Sequence, residues 1–315
     1  MDGNRADVSG YYARGEGAQR QTVGFFQISA RREAGVWKII REVPIFPIPP
    51  EQKPILASDL IAMLDTAGIG KAIVLSEAFW WDSPHFATSS AAASVAAEND
   101  WTAAQAGLYP DRLTAFCSFN PLAAHAMSEL ERCTASKRFA GIKLSFAMSG
   151  VDIVKADHRR RVQDVFRTAN RLRMPLVIHL SSGPGYGKAQ AQLFVDEVLP
   201  LVPDVDVQIA HLWGGEAFAS DALDVLVSAV QRDTPAARRL YFDVAEVWTA
   251  GSAERLSAVS AAIRAIGLDR IRYGSDAALN GRLTPAEAWR RLRFDVPLSD
   301  EEYRRIARSP SASVR

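Results

Sequence analysis

Three side chains stand at positions where they can do chemistry together. The run Pro175-Leu176-Val177-Ile178-His179-Leu180 delivers His179 at its end. The run Val205 to Leu212 delivers His211, followed by Trp213-Gly214-Gly215. The run Arg270-Ile271-Arg272-Tyr273-Gly274-Ser275-Asp276 ends in an acid. A single histidine on a strand is ordinarily a hydrogen-bonded core residue. Two of the chain's five histidines at successive strand ends, with a carboxylate at a third, make a more specific pattern. Imidazole with carboxylate is a donor set for zinc or a similar divalent ion. Nearby stand Lys143 and Ser145 on one face of Ala140 to Ser145, and Asp243 and Glu246 near the end of another strand. Lys143 is a pocket cation for a substrate carboxylate, or else an internal ion-pair partner of Asp276 or Asp243. Trp80, Trp81 and Trp213 lie near strand ends, where they wall an apolar substrate pocket or pack in the core. His85 lies in a loop, at the pocket rim or on the open surface. His125 and His158 fall near helix starts and read as solvated. The Gly-rich stretch Ser181 to Gly187 reads as an anion-binding or a flexible loop.

The elements that must position these groups follow a steady beat. Apolar strands at 71–76, 112–117, 140–145, 175–180, 205–212, 239–244 and 270–276 alternate with helices at 57–67, 90–108, 122–136, 158–172, 189–201, 219–231 and 253–266. A last helix begins at Pro285. Buried strands alternating with amphipathic helices imply an α/β fold with a covered parallel sheet. With an eighth strand from Ile39 to Phe46, the pattern is that of a closed (β/α)8 TIM barrel, whose active site lies at the C-terminal strand ends. Residues 1–43 read as a separate β-rich extension ahead of a barrel over 44–315. Two β runs around Glu33-Ala34-Gly35 form a short N-terminal hairpin there. Pro44, Pro47, Pro49 and Pro50 interrupt regular structure after it.

Composition narrows the function classes. The chain has 315 residues, 48% hydrophobic and 23% charged, with net charge +1. That is globular, with no bulk charge for nucleic acid or an anionic membrane. No apolar run reaches membrane-spanning length, and the first residues lack a signal-peptide profile, so a cytoplasmic location is expected. Two cysteines, Cys117 and Cys133, exclude a disulfide framework and a cysteine-held zinc. No Gly-x-Gly-x-x-Gly follows a strand and no phosphate loop is present, which removes the nucleotide-binding alternatives.

The three strand ends resemble the amidohydrolase superfamily, in its branch of metal-dependent TIM-barrel hydrolases and decarboxylases. The resemblance runs from about Val43 to the C-terminus. Asp59 to Ile69, Asn99 to Gln105 and Tyr109 to Leu113 fit it too. It implies that His179 ligates a metal, that His211 ligates or polarises the substrate, and that Asp276 binds metal and shuttles a proton. The implied reaction is hydrolysis of a C–N or C–O bond, or decarboxylation, of a small carboxylated or cyclic substrate. The implied cofactor is zinc or manganese. The sequence departs from the family at its first strand, which should end Asp-x-His-x-His. Pro44 and Phe46 stand where those histidines belong, and Ser145 stands where relatives often carry another. Three readings therefore remain open. One is a metalloenzyme using His179, His211 and Asp276. Another is a metal-independent, lactonase-like hydrolase, with no metal in a degenerate site. The third is an inactive barrel with a binding or assembly role. The segment Gly24 to Val43 resembles the last two strands of a ketosteroid-isomerase-like cone, as if it had replaced the first barrel strand. Its exposed edge, and the habit of such barrels to pair, are compatible with a homo-oligomer, but the sequence does not fix the oligomeric state.

Overall fold

The computed structural model describes residues 5–14, 21–33, 36–45, 55–84, 91–182, 185–215, 217–232, 234–277 and 283–309. They belong to two compact units, Met1–Ile55 and Leu56–Arg315. The first is a three-stranded antiparallel sheet of β1 (Arg5–Arg14), β2 (Gln21–Glu33) and β3 (Val36–Ile45), in the order β1-β2-β3.

The second unit opens with α1 (Ala57–Ala67), β4 (Ala72–Leu75) and α2 (Ala91–Gly107). β5 (Leu113–Ser118), α3 (Ala126–Ser136), β6 (Gly141–Ser145) and the short α4 (Phe146–Ser149) follow. Next come α5 (Ala156–Arg171), β7 (Leu176–His179), α6 (Lys188–Leu193) and β8 (Val207–Ile209). Then come α7 (Ser220–Val230), the short α8 (Pro235–Arg238), β9 (Leu240–Asp243) and α9 (Ala253–Ile266). β10 (Ile271–Arg272), α10 (Pro285–Asp295) and α11 (Asp300–Arg308) complete it.

Strands β4 to β10 lie side by side in sequence order and every neighbouring pair is parallel. This follows from the alternation: each amphipathic helix returns the chain so that the next apolar strand extends the same sheet. α5 shows why the helices cover it. Val162, Val165, Phe166 and Ala169 recur at three and four residues and are all buried, and Phe166 meets Phe194 edge-on at 5.9 Å. Burying each such large side chain contributes about 2 kcal/mol. Capping boxes built on Thr284 with Glu287 and on Ser299 with Glu302 start the last two helices. Among the described residues, no helix is long and apolar enough to cross a membrane.

Three expectations change. The eighth strand expected from Ile39 to Phe46 is not among the parallel strands. Val36–Ile45 pairs instead with β2, Val43 opposite Gln27. A two-residue connection makes that local pairing cheap in chain entropy, and Pro44 lacks the N–H that a central strand needs. Phe46 itself lies outside the described residues. The two cysteines, too few for a framework, nevertheless form one disulfide between β5 and α3, with Cα atoms 6.4 Å apart and both side chains fully buried. Finally, His125 is not a solvated helix-start residue: its Nε2 lies 2.7 Å from Asp82 Oδ2. Burial raises the Asp82 carboxyl above its usual range, and His125 opposes the rise. His158 Nδ1 accepts the Asp152 N–H at 3.0 Å.

Candidate active site

His179 is the last residue of β7 and lies opposite Ser145, the last residue of β6. His211 lies two residues past β8, and Asp276 four past β10. All three therefore sit at the C-terminal end of the parallel sheet, where the sequence pattern places them. His179 and His211 are 8% and 6% exposed, and their rings meet edge-on with centroids 5.2 Å apart.

One oxygen donor joins them that the spacing of strand ends does not single out. His211, Glu246 and Asp276 each bring a donor atom within 4.8 Å of the other two. His179 is not part of that group. Glu246 stands three residues past β9, and that position is the only signal the sequence offers for it.

The backbone at these residues is unusual. Six described non-glycine residues have left-handed φ: Lys137, Arg173, His211, Leu212, Glu246 and Asp276. Lys137 and Arg173 lie where α3 and α5 end, a common place for that conformation. The other four form the rim of this cluster. Such a conformation costs about 1–3 kcal/mol per residue and persists only where surrounding bonds hold it. Here the Leu212 N–H donates to Asp243 O at 2.9 Å, the Gly214 N–H to Ala210 O at 3.0 Å, and the His211 N–H to Asp243 Oδ1 at 3.0 Å.

The His211 ring is also fixed. Nδ1 lies 3.0 Å from the carbonyl oxygen of Ala245. A carbonyl only accepts, so Nδ1 carries the proton, and in the neutral ring the lone pair is on Nε2. This carbonyl-anchored arrangement is the one that prepares an imidazole for a metal or for a substrate proton.

Lys143, in the middle of β6, faces Asp276, Asp243 and Glu77. Burial pushes its pKa below the usual lysine value, against the pull of those three carboxylates. It is an internal cation held among acids. Trp80 is half-buried, with its ring 5.9 Å from that of Phe79. Trp213 is fully buried and meets Phe218 edge-on at 5.1 Å, so in this conformation it offers no surface to a ligand. His85 lies outside the described residues.

The loops after β7 and β8 pack on each other. Tyr186 Oη donates to Trp213 O at 2.7 Å, and burial pushes its phenol pKa up. A Cβ on Gly214 would lie 2.8 Å from Leu180 Cβ, and one on Gly215 would lie 2.6 Å from Ser181 Cβ. Both glycines are needed for that approach, and Gly214 also has φ +88°. The Ser181–Gly187 stretch, read as an anion site or a flexible loop, is thus in part a packing surface for the His211 loop.

A donor set of one imidazole nitrogen and two carboxylates suits a divalent ion such as zinc or manganese, so the residues fit the group expected here. The same groups can also bind a substrate and move its protons without one.

The family model described as "Amidohydrolase" matches residues 82–309. A search of curated proteins finds no match. Among solved structures, the chain is similar to 5-carboxyvanillate decarboxylase from Sphingomonas paucimobilis (TM-score 0.54, 16% identity, 79% of each chain covered). It is similar to a probable 2-pyrone-4,6-dicarboxylic acid hydrolase from Acinetobacter baumannii (TM-score 0.50, 15% identity, 80% of this chain and 85% of that one). It is also similar to a TIM-barrel protein from Bordetella bronchiseptica (TM-score 0.53, 16% identity, 80% of this chain and 79% of that one). At such identities the likeness speaks for the fold.

Proposed function

Because this chain belongs to the amidohydrolase family, we propose that it hydrolyses a C–N or C–O bond of a small carboxylated or cyclic substrate, or decarboxylates one, at the site of His211, Glu246 and Asp276. The observation that carries this reading is the convergence of those three donors within 4.8 Å, at the end of the sheet where barrel enzymes work. The likeness to a carboxyvanillate decarboxylase and a pyrone dicarboxylic acid hydrolase supports an aromatic or ring-shaped acid as substrate. The likeness to a TIM-barrel structure supports a (β/α)8 reading of the seven parallel strands.

His211 Nε2, a Glu246 oxygen and an Asp276 oxygen would hold a divalent ion, with His179 beside His211. When bound, such an ion would supply Lewis-acid chemistry, acidifying a water and polarising a carbonyl. The remaining steps fall to side chains. Asp276 takes a proton at its carboxylate and returns it to the leaving group or carbanion. His211, with its Nδ1 proton committed to Ala245, offers Nε2 as the ligand atom, or, in the metal-free reading, to the reacting group. Lys143 holds its positive charge toward Asp276 and meets a substrate carboxylate that enters beside it. The buried surroundings exclude bulk water and strengthen each of these interactions.

One observation favours a metal-independent hydrolase: Lys143 already places a cation among three carboxylates. Elemental analysis of the freshly purified chain, before and after chelation, separates the two readings. About one zinc or manganese per chain, removable and restorable together with activity, is the expected result. No uptake on adding either ion would overturn the metal-assisted reading and leave the metal-free one.

A further inference from the structure

Asp243 ends β9 and is 5% exposed. Its carboxylate is buried near Lys143 and serves the backbone around His211. Oδ1 accepts two N–H groups, from His211 at 3.0 Å and from Ala245 at 3.1 Å. Oδ2 accepts from Gln208 Nε2, on β8, at 2.8 Å. The Asp243 carbonyl accepts from the Leu212 N–H at 2.9 Å. Ala245, tied by its N–H to the same oxygen as His211, returns its carbonyl to His211 Nδ1 at 3.0 Å. One carboxylate thus holds both ends of a closed circuit: the His211 backbone in its left-handed turn, and the carbonyl that orients the His211 ring. Gly274 leaves room for this. A Cβ there would lie 3.2 Å from Asp243 Cβ.

The bonds are charge-assisted and shielded from water, which makes them stronger than ordinary neutral ones. Their geometry has a chemical consequence. A free neutral imidazole chooses between two tautomers; this one is offered a carbonyl at Nδ1 only while Ala245 stays in place.

We infer that Asp243 is a positioning residue for this site, fixing His211 in the Nδ1–H tautomer through Ala245 and so leaving Nε2 as the working atom. The inference rests on the reading that His211 acts in the site, but its primary test needs neither turnover nor metal.

The test is long-range proton–nitrogen NMR of the metal-free chain. Five histidines make assignment tractable, and His211→Gln identifies the signals of interest. The wild type is expected to show His211 protonated at Nδ1. In Asp243→Ala the Nε2–H form is expected to appear, and cobalt(II) titrated into the same sample should bind about 10- to 100-fold more weakly. Asp243→Asn keeps an oxygen for the two N–H groups and can pair its amide with a turned Gln208, so it is expected to restore the tautomer. An Asp243→Ala chain with the wild-type tautomer would overturn the inference. Should that variant not fold, Gln208→Leu removes only the Oδ2 partner. A measurable Nε2–H population in it supports the inference, and an unchanged spectrum overturns it. A wild type that shows the Nδ1–H form but takes up no cobalt would sink the metal reading alone.

Discussion

At the scale of single residues, the clearest consequence concerns Asp276. Its φ is +49°, a conformation that asparagine adopts at least as readily as aspartate. Asp276→Asn should therefore leave the fold intact by circular dichroism and lower turnover by about 10²- to 10⁴-fold, the usual worth of a proton-transferring group. An active variant would remove Asp276 from the mechanism. Lys143 makes a second prediction, about pH. Burial depresses its pKa, so the folded chain gives up the proton at a lower pH than the unfolded chain does. Between those two values the unfolded state binds more protons, and stability rises with pH by up to about 1.4 kcal/mol per unit. Below that window both states are charged and the burial cost is paid in full. Denaturant unfolding from neutral to alkaline pH should show this slope in the wild type and lose it in Lys143→Met. Of the site residues, His179, His211 and Asp276 were legible because a histidine or acid ending an apolar run is visible in the letters. Glu246 was only visible as an acid near a strand end. What recruits it is a left-handed turn, and turn conformation is not encoded by residue spacing.

At the scale of elements, the strands were found where the apolar runs stand, but several stop early. The run 205–212 yields only Val207–Ile209, and 270–276 only Ile271–Arg272. In each case the chain leaves the sheet before the functional residue and presents it beyond the strand. One expected helix over 189–201 is also broken, continuing past α6 as a wider turn at Phe194–Val198 and a tighter one at Leu199–Leu201. Pro200 lacks the N–H that a continuous helix would use. The contact between the β7 and β8 loops gives a testable consequence. Gly214→Ala must place a methyl group 2.8 Å from Leu180 Cβ at a left-handed φ. It should destabilise the fold by about 1–3 kcal/mol in urea titrations. It should also weaken activity, because it pushes the His179 and His211 loops apart. Gly68→Ala is the control: its φ is also left-handed, but its Cβ meets nothing within 4 Å. Its cost should be limited to about 1 kcal/mol of backbone strain.

At the scale of the whole molecule, the α/β alternation carried the architecture, since seven strand–helix units leave few ways to cover an apolar sheet. An apolar run before a proline stretch has the same letters whether it pairs locally or enters a parallel sheet, so the place of Ile39 to Phe46 is not legible in the sequence. Every residue named here for the site lies within Leu56–Arg315. A fragment of those residues is therefore expected to fold cooperatively and to bind cobalt(II) as the full chain does. Loss of binding in a folded fragment would mean that the first unit contributes to the site. The left-handed rim carries a last consequence, for how this protein can change. Selection for thermal robustness alone would favour glycine at Glu246, where φ is +54° and the side chain is only half-buried. The same exchange would erase a donor of the cluster. Laboratory evolution under heat, without a demand for turnover, should drift toward tougher and silent chains by way of these few positions.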